Sequence, residues 1–479
     1  ILRTRELLGD AEFAALTEAL EKDTPVSIRM NTDKCGLVPQ ESTSVPWCRE
    51  GYYLSGRPSF TFDPLFHAGC YYVQEASSMF LEQALRQYVH GPVTMLDLCA
   101  APGGKSTLAR SILPEGSLLV ANEVMRNRSQ VLAENLIKWG NPGVIVTNND
   151  PADFAPLQAV FDVILTDVPC SGEGMFRKDP VAVDEWSVEN VDICWQRQRR
   201  ILTDIWPCLK PGGILIYSTC TYNTKENEEN IRWIRDEFGA EVLPLDVAEE
   251  WNITGNLLQG ESFPVYRFLP HKTQGEGFFL AVLRKPGMSV RNSGDKQLIS
   301  LAIAPETPGL RAEKSREKGR KVQGKGKQTP GLSKEQLAIL QKWIFTADKY
   351  EFIQKGGNVS AFPKCYIPEL SALQSSLRIV QAGLEIAGQK GKDWIPCHAL
   401  AVSGILVSDA FPCEEISYEQ AIAYLRKEAV TLSDAAPRGV VLLTYKHVPL
   451  GFVKNIGNRA NNLYQIGRAS CRERVSSPV

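Results

Sequence analysis

No Cys-x-x-Cys pair occurs among the 12 cysteines, and the five histidines (His67, His90, His271, His398 and His447) lie far apart without metal-ligand spacing. Those absences argue against a structural zinc site, and no metal is expected. No apolar run approaches the length of a membrane-spanning helix, so no membrane partner is expected either. The sequence starts at Ile1 without a methionine, and Arg3, Arg5, Glu6 and Asp10 interrupt any apolar stretch, so a signal peptide is expected to be absent or already removed. The expectation is a cytoplasmic protein whose cysteines are mostly reduced, small buried hydrophobes. Net charge is lacking too. At a formal −2, polyanion binding has to come from local basic faces.

What is present is ordinary globular material: 479 residues, 43% hydrophobic and 23% charged, enough for roughly two to four domains. Apolar spacing predicts a helix over 2–22 and a strand over 26–31, a small α+β appendage assigned to 1–60. A helix at 74–88 leads into a run of alternating elements. Strands are expected at 93–98, 118–122, 144–148, 161–166 and 213–218, with helices at 125–138, 191–209 and from about Thr224. That alternation predicts an α/β core over 61–285, a parallel sheet wound with helices on both faces, with 278–283 as a late antiparallel strand at an edge.

Residues 286–331 have linker composition, and 311–327 hold eight Lys or Arg against Glu313 and Glu317. Two readings stand: a solvated linker, or a flexible arm that touches phosphates. Beyond it, a helix capped by Ser333, strand-like runs over 351–402, a helix at 418–428 and a hairpin of 440–446 with 450–454 are expected. These are divided into an accessory α+β domain (332–390) and a second small domain (391–465), and the tail 466–479 carries no apolar period.

The first strong strand ends in Asp97-Leu98-Cys99-Ala100-Ala101-Pro102-Gly103-Gly104-Lys105-Ser106, a turn of small residues opening a helix. Small residues let main-chain N–H groups and a helix N-terminus face a bound ligand. Gly104-Lys105-Ser106 imitates the end of a P-loop, but the required first glycine falls on Cys99, which disfavours ATP. Glu123 ends the next strand, where an acid typically grips ribose hydroxyls, and Asp150 ends the one after. A small-residue turn followed by acids at successive strand ends suits an adenosine-bearing cofactor without pyrophosphate, namely S-adenosylmethionine.

Two cysteines follow short apolar runs: Cys170 in Asp167-Val168-Pro169-Cys170-Ser171-Gly172 and Cys220 in Tyr217-Ser218-Thr219-Cys220-Thr221-Tyr222. Each thiol should emerge at the carboxyl end of a parallel strand, where open α/β sheets place their ligands. Two thiols at one sheet edge suggest covalent catalysis. Lys105 is a candidate to favour a thiolate or to touch a phosphate.

With these motifs in this order and spacing, the chain resembles the RNA cytosine-5 methyltransferases of the Nop/Sun family, more closely the bacterial RsmF-type enzymes of small-subunit ribosomal RNA. The resemblance is strong over 1–285 and continues more weakly to Tyr464 through Asn455-Ile456-Gly457-Asn458-Arg459-Ala460-Asn461-Asn462. It implies a Rossmann-like methyltransferase core and a PUA-like RNA module over 391–465. It implies a cofactor site at Cys99, Ala100, Ala101, Pro102, Gly103, Gly104, Lys105, Glu123, Arg128, Asp150 and Asp167. By the same resemblance Cys220 is the nucleophile that adds to carbon 6 of cytosine, and Cys170 helps release the product. Asp167 is placed to hydrogen-bond the cytosine's N3 or N4 edge. Gln74-Glu75-Ala76-Ser77-Ser78-Met79 also matches a family segment. The base has to be unstacked to meet these groups, so the appended domains are expected to hold RNA, with the protein acting as a monomer.

Alternatives remain at this point. A transfer-RNA substrate keeps the chemistry, and a ribosome-assembly RNA binder keeps only the fold. Amino-group methylation is disfavoured because Val168-Pro169-Cys170 stands where that class carries Asn/Asp-Pro-Pro-aromatic, and Cys220 would be idle.

Overall fold

The computed structural model describes residues 2–36, 38–178, 180–287, 332–391 and 393–464. The basic run at 311–327 and the tail at 466–479 lie outside the described residues.

The N-terminal unit begins with α1 (Leu2–Leu8) and α2 (Asp10–Leu20). One helix was expected here, but Gly9 takes φ 79°, a left-handed conformation that ends the first helix and turns the chain into the second. Strands β1 (Val26–Met30), β2 (Ser42–Ser44) and β3 (Gly51–Leu54), the short helix α3 (Pro64–His67) and β4 (Tyr71–Val73) follow, giving a sheet of order β2-β3-β1-β4. Because β4 hydrogen-bonds to β1, this sheet carries the unit beyond residue 60. One of its links to the core runs through Arg29, which is 1% exposed. The Arg29 guanidinium donates to Gln74 Oε1 (2.9 Å) and Thr107 Oγ1 (2.6 Å) and lies 4.5 Å from the centre of the Trp139 ring.

The helix expected over 74–88 starts late, as α4 (Leu81–Tyr88). Glu75 intervenes: its carboxylate accepts the N–H groups of Ser77 and Ser78, both at 3.0 Å, and holds the preceding turn in tighter 3₁₀ form.

The core then alternates: β5 (Thr94–Asp97), α5 (Gly104–Ile112), β6 (Leu118–Asn122), α6 (Arg126–Trp139), β7 (Val144–Thr147), β8 (Phe161–Asp167), α7 (Pro180–Glu185), α8 (Val188–Ile205), β9 (Leu209–Thr219), α9 (Glu228–Phe238), β10 (Glu241–Leu243), β11 (Tyr266–Phe268) and β12 (Phe278–Arg284). Neighbours β7-β6-β5-β8-β9 are parallel, and every residue of β5, β6 and β7 is buried, as a sheet covered on both faces requires.

Strand β12 is antiparallel to β9 but does not form the edge. Its residues Phe278–Leu283 are buried, and β10 and β11 cover its outer side. The last core helix begins at Glu228 rather than near Thr224, leaving a structured loop after Cys220.

After the gap come α10 (Lys334–Gln341), whose Ser333 cap forms a reciprocal pair with Gln336, then β13 (Tyr350–Lys355), β14 (Asn358–Pro363), α11 (Ile367–Ser376), β15 (Ile379–Ala382), β16 (Leu384–Lys390), β17 (Asp393–Pro396) and α12 (His398–Ala401). Helix α11 lies where strand-like runs are expected, with Pro368 in its first turn, a position that needs no N–H. β16 and β17 pair across position 390/391, so that proposed boundary falls within a hairpin. β15 leaves this region altogether and adds antiparallel to β7 at the core sheet's edge. The chain closes with β18 (Cys413–Glu415), α13 (Tyr418–Leu425), β19 (Gly439–Tyr445), β20 (Val448–Asn455) and β21 (Ala460–Asn462), a sheet in that strand order.

Candidate active site

Two adjacent parallel strands bring the cysteines together. β8 and β9 are in register with Asp167 opposite Ser218, and the ladder continues one step further as Val168 N–H donates to the Ser218 carbonyl at 3.1 Å. The two chains therefore leave the sheet side by side. Cys170 and Cys220 meet with their Sγ atoms 3.1 Å apart, and both thiols are free. The Cys220 N–H points at Cys170 Sγ at 3.4 Å. Cys170 is held well above the ordinary thiol range, first by its hydrogen bond with Cys220 and then by burial.

The turn after Cys170 packs tightly against the other loop. Gly174 N–H donates to the Cys220 carbonyl at 2.8 Å, and a Cβ on Gly174 would stand 2.6 Å from the Gly277 oxygen and 2.8 Å from that of Cys220. Glycine is required there by close approach.

Asp167 stands at the same edge with both oxygens engaged. Ser218 Oγ donates to Oδ1 at 2.7 Å and Lys105 Nζ to Oδ2 at 2.8 Å. Burial works against the Lys105 charge, but the charge and hydrogen bond of Asp167 outweigh it and raise the ammonium above the ordinary lysine value. Lys105 also feels Cys220 electrostatically and lies 5.3 Å from the centre of the Phe278 ring.

The small-residue turn sits beside this group. Ala100 and Ala101 are buried, the Ala101–Pro102 bond is cis, and Gly103 (φ 114°) caps α5. Cys99 is half-buried against the core, and its thiol is pushed up by burial and by the nearby acids. Asp97, fully buried under the turn, accepts from Ser106 Oγ at 2.6 Å through Oδ2, while no described residue reaches Oδ1. Burial lifts Asp97 to about 7.

Glu123, nearly buried, accepts the Met125 N–H at 2.9 Å. Arg128 pairs with it at 3.5 Å and donates to the Ala101 carbonyl at 2.8 Å, bracing the turn from outside. Asp150 is more distant in role: it caps the turn Pro151–Phe154 and pairs with Arg200 at 3.4 Å. A turn of small residues, an orphaned buried acceptor below it and a buried acid one strand along fit S-adenosylmethionine.

The chain matches the family described as 16S rRNA methyltransferase RsmB/F over residues 88–284. It also matches the N-terminal domain of 16S rRNA methyltransferase RsmF over 1–76 and the methyltransferase RsmF PUA domain over 412–468. It is 32% identical to ribosomal RNA small subunit methyltransferase F of Citrobacter koseri, over 94% of this chain and 92% of that one. The chain belongs to the RsmB/F family of 16S rRNA methyltransferases.

S-adenosylmethionine is the cofactor of this family. The Salmonella heidelberg methyltransferase F is 31% identical over 94% of this chain and 92% of its own length. Among solved structures, a methyltransferase homologue from Pyrococcus horikoshii shares 32% identity and a TM-score of 0.50, covering 59% of this chain and 93% of that one. The NSun6 structure from the same organism, at 21% identity and TM-score 0.50 over 59% of this chain and 96% of that one, shares the fold. Among the described residues no cluster of His, Cys, Asp and Glu could hold a metal, and no helix is long and apolar enough to cross a membrane.

This RsmB/F chain also carries polar residues at the site that sequence reasoning missed. Glu173, on the Cys170 side, accepts from Thr221 Oγ1 (2.9 Å), Tyr222 N–H (2.8 Å) and Trp186 Nε1 (3.0 Å). On the Cys220 side Glu226, Asn227 and Glu228 are all 0% exposed. Asn227 donates to the Thr221 carbonyl at 2.9 Å, and Glu228 pairs with the equally buried Arg267. In sequence these three lie at the expected opening of a helix, where acidic residues are ordinarily solvent-facing. A run of polar residues just after a candidate nucleophile was the available signal.

Proposed function

We propose that the chain methylates carbon 5 of a cytosine in 16S ribosomal RNA through a covalent bond from Cys220 to carbon 6. The observation that carries this reading is the pair of free thiols 3.1 Å apart beside the Lys105–Asp167 pair. Carbon 5 of cytosine is a poor nucleophile, and addition of a thiolate at carbon 6 makes it enamine-like. Cys220 serves as the attacking nucleophile: the Cys170 sulfur lies 3.1 Å away and the Lys105 ammonium lies within electrostatic reach. Asp167 accepts from the exocyclic amino group of the base, while Lys105 offsets the negative charge pushed into the ring. The turn 99–104 and Glu123 would hold S-adenosylmethionine, the acid toward its ribose, and the cofactor would supply an electrophilic methyl group. Release requires transfer of the carbon 5 proton to a base, either water or the Cys170 sulfur as thiolate, its bonding pair forming the carbon 5–carbon 6 double bond while the carbon–sulfur pair returns to Cys220. Cys170, alongside, is the group that assists.

RNA is held by the N-terminal sheet and the C-terminal PUA module, which present the unstacked base to the thiols. The test is methyl transfer from labelled S-adenosylmethionine to 16S rRNA, with transfer RNA as the control. Cys220→Ala abolishes transfer, Cys170→Ala accumulates a denaturant-stable protein–RNA adduct, and the double variant forms none. An adduct in Cys220→Ala but not in Cys170→Ala reverses the two roles, and labelling of transfer RNA alone replaces the substrate.

A further inference from the structure

We infer that Glu226 is a positioning residue whose buried carboxylate fastens the Cys170 turn to the Cys220 loop and so sets the approach of the two thiols. This deepens the reading of Cys220 as nucleophile and rests on it.

The carboxylate is fully buried and receives hydrogen bonds from both sides. Oε1 accepts the Ser171 N–H at 3.0 Å and Gln198 Nε2 at 2.8 Å, and Oε2 accepts Ser171 Oγ at 2.5 Å and Asn223 Nδ2 at 2.7 Å. Gln198 also donates to the Pro169 carbonyl at 3.0 Å, so the residues before and after Cys170 are both gripped. On the far side, Asn223 Nδ2 donates to Thr221 Oγ1 at 2.9 Å, and Asn223 Oδ1 accepts the Glu226 N–H at 2.9 Å, folding the loop beyond Cys220 onto the same carboxylate. Ser171 Oγ and Thr221 Oγ1, each next to a cysteine, lie 3.0 Å apart and close the bridge.

Three of the groups facing Glu226, the Ser171 N–H, Gln198 Nε2 and Asn223 Nδ2, can only donate, and the Ser171 hydroxyl donates to Oε2, an arrangement that suits an ionised carboxylate. A glutamine of the same shape presents an amide N–H₂ to one of the two donor pairs in either orientation. The amide then faces Ser171 N–H and Gln198 Nε2 in one orientation, or Asn223 Nδ2 in the other, so at least one donor meets a donor and the common anchor of the two turns is weakened.

The experiment compares wild type with E226Q and S171A. Turnover, KM for a 16S rRNA fragment and thermal melting are measured together with the rate at which diamide closes a Cys170–Cys220 disulfide. E226Q is expected to lower kcat about 10- to 100-fold, the usual effect of displacing reacting groups by about 1 Å, with KM changed less than about twofold. Disulfide closure slows in parallel, a change that a role confined to stability would not produce. S171A, which leaves Glu226 its other donors, gives a smaller loss in the same direction, and the double variant is no worse than E226Q. Should E226Q not fold, S171A alone decides: unchanged turnover and closure rate overturn the inference. So do unchanged turnover and closure in folded E226Q, or losses that simply add. If Cys170→Ala forms no adduct with RNA, the reading of Cys220 fails, while disulfide closure still reports on Glu226.

Discussion

Lys105 Nζ lies 2.8 Å from Asp167 Oδ2, tying the helix that follows β5 to the end of β8 and joining the cofactor turn to the cysteine edge. Removing the ammonium leaves Asp167 only the Ser218 hydroxyl. Lys105→Met is therefore expected to lower kcat for methylation about a hundredfold, the scale of losing one electrostatic group aimed at developing charge. Circular dichroism should show the fold retained. Wild-type turnover in a folded Lys105→Met protein contradicts the assignment.

The thiols of Cys170 and Cys220, 3.1 Å apart and free, are close enough to be oxidised together. Diamide takes two electrons and two protons from the pair, forming a disulfide and the reduced hydrazine. Methylation should cease and return on addition of dithiothreitol. Intact mass spectrometry checks this: the oxidised chain loses two hydrogens, and Cys170→Ala loses none at this site.

Gly174 is held between two carbonyl oxygens, 2.6 Å and 2.8 Å from where a Cβ would stand. Both belong to backbone, so Gly174→Ala has to push the Cys170 turn away from the Cys220 loop. The expected outcome is loss of methylation of about a hundredfold or more. A well-folded Gly174→Ala variant with full turnover refutes the packing described for these loops.

Asp97 is raised from 3.8 to about 7 by burial, against the Ser106 hydrogen bond. The folded chain thus binds this proton more tightly than the unfolded one. Its contribution to stability is complete below about 3.8 and is lost as pH rises through about 7. Asp97→Asn cannot ionise, so without cofactor it should melt higher than wild type at about pH 8 and show a flatter pH dependence. Melting curves across that range test this, and an unchanged slope counts against a perturbed Asp97.

Much of the core was legible from local chemistry. The strand at 118–122 appears with those bounds, and Asp97 to Ser106 forms the expected strand, turn and helix. Apolar runs bounded by turn residues announce buried parallel strands, and small residues announce close backbone approach, because both depend on neighbours along the chain. The placement of Cys170 and Cys220 at one sheet edge was readable for the same reason, each lying just past a strand end.

Distances between residues 50 apart in sequence are another matter. The thiols meet because β8 and β9 pair with Asp167 opposite Ser218, a register no local pattern encodes. Glu226, Asn227 and Glu228 fall where a helix is expected to open near Thr224, and only packing against Ser171, Thr221 and Arg267 turns them inward. Likewise β15 gave no sign that it would cross to pair with β7. Local sequence dictates which elements form and which side chains bear chemistry; burial, register and the partners of buried charges arise only when distant segments close on one another and exclude water.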